Sequence, residues 1–185
     1  MIDIEHTFGW RTQSEVLTLE RRHLDLTVRP HGTLRLDPGT TKNDEGRVVY
    51  LTPALHQALA EQLERVAKLE RQLGRVIPYL FPHFQGPWKG TRRCDFYKAW
   101  KRATRAAGCP GRLRHDFRRT AVRNLERAYV PRSIAMKLTG HKTEKVYKRY
   151  DIVSDADLQA ASERLALAAG HNFGHNSPVR QPAGR

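Results

Sequence analysis

The run Arg114-His115-Asp116-Phe117-Arg118-Arg119-Thr120 joins two groups that suit a phosphate ester. On a helix His115 and Arg118 stand three residues apart and share a face. An imidazole moves a proton near neutral pH, and a planar guanidinium grips phosphate oxygens in pairs. Arg119, four residues from His115, shares that face too, so spacing alone does not choose between the arginines. A second group follows at Leu138-Thr139-Gly140-His141, where Gly140 ends a helix and His141 occupies the turn after it. Tyr150 comes nine residues later, closing the run Val146-Tyr147-Lys148-Arg149-Tyr150. Taken singly, such a tyrosine is usually a core anchor, and a basic helix with one histidine is usually plain surface. Arg11, after Gly9-Trp10, and Lys42, in a turn, are weaker still by themselves.

The segments between these residues predict what holds them. Thr12 or Ser14 is expected to cap a short helix containing Val16, Leu17 and Leu19. Alternating apolar residues at Leu24 and Leu26, then Leu34 and Leu36, flank the turn Pro30-His31-Gly32. A further strand at Val48, Val49 and Tyr50 follows a second turn-rich stretch, which predicts a small antiparallel sheet with Lys42 near its tip. Pro53 opens a helix with Leu55, Leu59, Leu63 and Val66 on one face, running to about Leu73 before Gly74. Residues 75–92 read as loop, with Pro78, Pro82 and Pro87. Helices are expected from Asp95 to Ala107, from Leu113 to Ala128, and from Pro131 to Gly140. Thr143 is expected to cap a helix leading to Tyr150, and Ser154 or Asp155 the last helix, ending near Ala169. The expected class is α+β: a mainly helical domain over residues 1–170 with one small antiparallel sheet, then a disordered tail over 171–185.

Composition narrows the partner. The 185 residues suffice for one domain with a substantial core, and no apolar run approaches the ~20 residues of a membrane span. Asp3 and Glu5 stand where a signal peptide carries positive charge, so a cytoplasmic protein is expected. The net charge is +14, and residues 86–150 hold 19 basic against 4 acidic side chains, while the two flanks are nearly balanced. A block of that kind suits a nucleic acid, because each cation that neutralises a phosphate releases a counterion. Cys94 and Cys109 form no ligand motif, and His171 and His175 lie in a Gly- and Asn-rich stretch. No metal and no cofactor are expected.

Order and spacing say more than any single residue. Gly9-Trp10-Arg11 ahead of Ser14-Glu15-Val16-Leu17, Thr41-Lys42 in a hairpin, His115-x-x-Arg118, Leu138-Thr139-Gly140-His141 and Arg149-Tyr150-Asp151-Ile152-Val153 together resemble the tyrosine recombinase (phage integrase) family. The likeness runs from about Gly9 to Leu165. It implies the catalytic domain of a site-specific recombinase, which cuts and rejoins double-stranded DNA through a 3′-phosphotyrosine. By that resemblance Tyr150 is the nucleophile, and Arg11 and Arg118, rather than Arg119, clamp the non-bridging oxygens. Lys42 is then the acid that protonates the departing 5′-oxygen, His115 assists proton transfer at the nucleophile, and His141 hydrogen-bonds the phosphate. Tyr147 is read as packing. The apolar series Leu158, Ala161, Leu165 and Ala168 closes its own core or docks on a neighbouring subunit; the family implies a homo-tetramer on two DNA sites.

The sequence also departs from the family. Only ten residues precede Arg11, so the upstream helices and a separate core-binding domain are expected to be missing. That predicts a truncated chain in which the apolar face of residues 16–19 lacks a partner. The interval from Arg11 to Glu15 is one residue longer than the family's common spacing. A non-catalytic DNA-binding remnant and a type IB topoisomerase are the alternatives. The Gly140-His141 turn and the run from Arg149 to Val153 favour an integrase-like recombinase.

Overall fold

In a computed structural model of the chain, residues 1–39, 45–150 and 153–172 are described, the side chains of 169–172 excepted. Contacts divide the chain into two units, Met1–Asp151 and Ile152–Arg185, and every described site residue lies in the first.

The first unit opens with helix α1 (Ile2–Phe8), a one-turn π-helix (Thr12–Val16) and a 3-10 turn (Arg21–His23). Strands β1 (Leu24–Asp25), β2 (Thr33–Leu36) and β3 (Arg47–Tyr50) follow in an antiparallel sheet of order β1-β2-β3. Leu34 pairs with Leu24 on one side and with Val49 on the other, so one face of the sheet turns an apolar row inward. Helices α2 (Pro53–Leu73), α3 (Tyr97–Ala106), α4 (Asp116–Arg127), α5 (Arg132–Thr139) and α6 (Glu144–Tyr147) complete the unit. The second unit contains α7 (Asp155–Asn172).

Helix α2 shows how directly local sequence acts. Thr52 accepts a hydrogen bond from Leu55 N, Pro53 occupies the first turn, and Gly74 closes the helix in a left-handed conformation. Leu55, Leu59, Gln62, Val66 and Leu69 recur at intervals of three and four and are all buried. Gln62 is tolerated there because its amide donates to Leu80 O at 2.8 Å.

Two expectations about the N-terminal edge are overturned. A helix does precede Arg11, and the apolar face of residues 16–19 is covered. Val16, Leu17 and Leu19 join Ile4, Phe8 and Trp10 in the main core with the sheet and α2. Burying each such side chain contributes roughly 1.5–3 kcal/mol. Seven residues containing Asp3, Glu5 and His6 are too short to be helical alone; α1 forms because Ile4 and Phe8 pack inward and its length lies against α4. Gly9 ends it at φ +66°, and a Cβ there would press on Ala121 Cβ at 3.2 Å.

The helix expected after Arg11 is a single π-turn. Val16 N and Glu15 N both donate to Arg11 O, and Leu17 N to Thr12 O. Neither Thr12 nor Ser14 caps it by a side chain; the Glu15 carboxylate instead accepts from Arg11 N. A π-turn holds one residue more than the tighter turns it replaces, which absorbs the extra residue between Arg11 and Glu15. Helix α4 begins at Asp116, three residues later than expected, with Leu113 N donating to Asp116 Oδ2. The last helix runs to Asn172, past the expected end at Ala169, and the expected tail falls almost wholly outside the described residues. Its Leu158 and Leu165 are exposed.

Candidate active site

Three short elements meet at the site. His115 caps α4 in helical conformation, so the three-residue spacing still places His115 and Arg118 on one face. The two arginines left open by spacing separate cleanly. Arg118 is 3% exposed and points inward, whereas Arg119 lies at the surface against Asp116. Helix α5 ends at Gly140 with φ +70°, and His141 turns back onto Arg118. Thr143 caps α6 by accepting from Val146 N, and the following turn carries Tyr150.

The tyrosine and its neighbours are in contact. Tyr150 Oη lies 2.9 Å from His115 Nε2, and the Tyr150 ring centroid is 5.0 Å from that of His141. Arg118 Cζ stands 5.8 Å over the Tyr150 ring. Arg118 Nη1 donates to Gly9 O at 2.6 Å and its Nε to His141 Nε2 at 3.2 Å. Its Nη2 is buried with no hydrogen-bond partner among the described residues, a donor ready for an anion.

Protonation follows from these contacts. Thr139 Oγ1 donates its one proton to Ala135 O, so it accepts from His141 Nδ1, 2.7 Å away. His141 Nε2 is then the acceptor for Arg118, and the imidazole is neutral. Burial, then Arg118, Arg11 and Arg47, push its pKa down to about 3. His115 is also lowered, by burial first and then by Arg118, Arg119 and Arg11. A neutral His115 whose Nε2 carries no proton can accept a hydrogen bond from the Tyr150 phenol. Burial lowers Arg118 to about 10, which leaves it charged at neutral pH.

Arg11 is held differently. Its Nη1 contacts Glu15 Oε1 at 2.9 Å, and its backbone N donates to Glu15 Oε2 at 2.8 Å. Glu15 is wholly buried and also receives Arg47 Nη2 at 2.5 Å. Trp10 Nε1 donates to Leu138 O, which ties the residue beside Arg11 to the end of α5. Arg11, His115 and Arg118 line a cleft of about 540 Å³ that Trp100, Tyr97 and Lys101 help to wall.

Five of the six residues singled out in the sequence are thus in one region, and Lys42 lies outside the described residues. Glu15, Arg47 and Thr139 were missed as site residues. Arg47 was legible in principle: on β3 it alternates with exposed Val48 and shares the inward face of Val49. A cation on the buried face of a strand needs an acid partner, and Glu15 is it. Tyr147 is buried with its ring 5.3 Å from His141, in a packing position.

The model of the phage integrase family matches residues 1–157. The chain belongs to that family. Among solved structures it is similar to the XerA recombinase, with a TM-score of 0.68 and 18% identity over 87% of this chain and 55% of that one. XerH in its post-cleavage complex with palindromic difH gives a TM-score of 0.64 and 23% identity, over 87% of this chain and 43% of XerH. The Tn1549 transposon integrase in complex with a circular intermediate DNA gives 0.62 and 16%, over 89% and 57%. At these identities the likeness is one of fold: a mainly helical tyrosine-recombinase catalytic domain with a three-stranded sheet. This integrase-family chain spans about half the length of the solved proteins it matches. No curated protein sequence matches it. Among the described residues no helix is long and apolar enough to cross a membrane, and no three His, Cys, Asp or Glu side chains converge as for a metal.

Proposed function

We propose that the chain carries out site-specific DNA strand cleavage and rejoining, with Tyr150 as the nucleophile. The observation that carries this is Tyr150 Oη at 2.9 Å from a neutral His115, beside the unpartnered Nη2 of Arg118. In the first step Tyr150 Oη bonds to the scissile phosphorus and passes its proton to His115 Nε2. The bond from phosphorus to the 5′-oxygen breaks, and Lys42 gives that oxygen a proton. Arg11 and Arg118 neutralise the non-bridging oxygens as charge gathers on them, a contribution of roughly 3 kcal/mol per donor. A free phenol has a pKa near ~10, so it attacks at neutral pH only with such a base and such a field. Rejoining is the reverse: a 5′-hydroxyl attacks the phosphotyrosine and Tyr150 leaves, so the bond energy is conserved and no ATP is consumed.

His141 enters in two stages. In the resting site its Nε2 accepts from Arg118 and fixes the guanidinium plane. Hydrogen-bonding of a phosphate oxygen by Nε2 requires a proton there, which the incoming negative charge favours by raising a pKa that burial and three arginines had depressed. The partner is double-stranded DNA, drawn by the basic block over residues 86–150, and the working assembly is four protomers on two sites, in the cytoplasm.

The test is a nicked suicide substrate from the ends of the chain's own genetic element. The protein yields an SDS-resistant DNA adduct, and Tyr150→Phe yields none. A folded chain that binds this DNA without an adduct would favour the non-catalytic DNA-binding reading.

A further inference from the structure

Arg47 takes no direct part in the chemistry above, yet it sits at the centre of the site's buried charges. Its side chain is 10% exposed and reaches from β3 to Glu15 Oε1, the same oxygen that Arg11 Nη1 contacts. Its guanidinium lies against Gly140, where any Cβ would overlap it, and 5.5 Å over the Trp10 ring. One side chain therefore touches the carboxylate that holds Arg11, the residue before Arg11, and the turn that aims His141.

The charge balance gives this contact a consequence. Glu15 is fully buried and carries one negative charge that two guanidiniums share. With Arg47 in place the trio has one positive charge to spare, and it lies on Arg11, the more exposed of the two arginines. Without Arg47, Glu15 pairs with Arg11 alone, and an arginine already neutralised by a buried carboxylate attracts phosphate poorly. We propose that Arg47 is a positioning residue of the phosphate clamp: it offsets Glu15 so that Arg11 keeps its charge for the phosphate, and it braces the Gly140–His141 turn. The proposal rests on the phosphate-clamp reading of Arg11 and Arg118 given above.

The test compares the protein with Arg47→Ala, Arg47→Lys and the double variant Glu15→Gln/Arg47→Ala. Two readouts are used: adduct formation on the nicked substrate, and affinity for inorganic vanadate by vanadium NMR, with thermal melting to confirm folding. Arg47→Ala lowers adduct formation by about tenfold or more and weakens vanadate binding in parallel. Arg47→Lys, which keeps the charge, falls between it and the parent protein. The double variant, which removes both charges, recovers most of the loss in both readouts. A brace of purely structural kind gives no such recovery, since it leaves two contacts missing instead of one. Arg47→Ala at parental levels, or a double variant no better than Arg47→Ala, would overturn the assignment. If the parent forms no adduct while vanadate follows the stated order, the role of Arg47 stands and the recombinase reading falls. If adducts form and vanadate ignores Arg47, the assignment falls alone.

Discussion

The two arginines of the proposed clamp are built into the protein in opposite ways. Arg11 hangs from a π-turn and is held by charge, through a wholly buried carboxylate that Arg47 shares. Arg118 rises from a regular helix and is held by neutral acceptors, Gly9 O and His141 Nε2. On the first side the sequence must supply a compensated ion network, where removing one partner leaves a stranded charge. On the second, two hydrogen bonds to neutral acceptors orient the buried guanidinium, and its Nη2 has no partner among the described residues. The proposed nucleophile, Tyr150, belongs to the second side. Tyr150 is half-buried on a turn after four-residue α6, with ring contacts to His115 and His141 and its hydroxyl within hydrogen-bond distance of His115 Nε2. The arrangement sets a buried network of charges beside a half-buried tyrosine, and the proposed function asks that tyrosine to bond to DNA and leave again.

The largest effect is expected where the two sides join. Arg118→Ala removes the guanidinium that links α1, through Gly9 O, to His141 and Tyr150. Adduct formation on the suicide substrate should fall by a factor of about a thousand. A fall no larger than that of Arg119→Ala, whose side chain faces solvent, would break the comparison.

A smaller effect sharpens the Tyr150 side. Burial and three arginines lower the pKa of His115 from its ordinary 6.5, so the neutral base survives to lower pH. The adduct rate in single turnover should be flat through neutral pH and decline only below 6.5. His115→Gln should lower it by a factor of about a hundred or more and erase that acid limb. A limb unchanged in His115→Gln would assign the proton to another group.

Much of this was legible in the sequence. Helix α2, the three strands, the Gly140 turn and the Thr143 cap announce themselves by capping residues and periodicity, and these elements place His141 and Tyr150. Helix α1 and the π-turn were not legible, because both are too short for period or propensity to register. They exist through packing on α4 and through Glu15, whose importance lies in partners 4 and 32 positions away. Family likeness supplied Arg11 and the choice of Arg118, which spacing by itself left open.

The smallest expected effect lies at the edge of the Arg11 side. Glu5, 2% exposed, has an oxygen with no hydrogen-bond partner among the described residues, and burial pushes its pKa up to about 7 from 4.5. Between those values the folded chain holds a proton that the unfolded chain has lost. Stability from the neutral carboxyl is therefore complete below 4.5 and is lost as pH rises through about 7. Glu5→Gln, which stays neutral, should leave the melting temperature nearly unchanged in acid. At alkaline pH it should raise it, by an amount corresponding to about 3 kcal/mol at the most. Equal shifts at both ends would mean that the carboxyl is not buried as described.

The proposed function stands or falls on one bond, between the phenol of Tyr150 and DNA. It is tested most directly by digesting the trapped adduct with nuclease and protease and locating the nucleotide by peptide mass spectrometry. The expected result is a 3′-nucleotidyl group on the peptide that contains Tyr150, and on no other. The label on Tyr147 or on a serine, or its persistence in Tyr150→Phe, would contradict it.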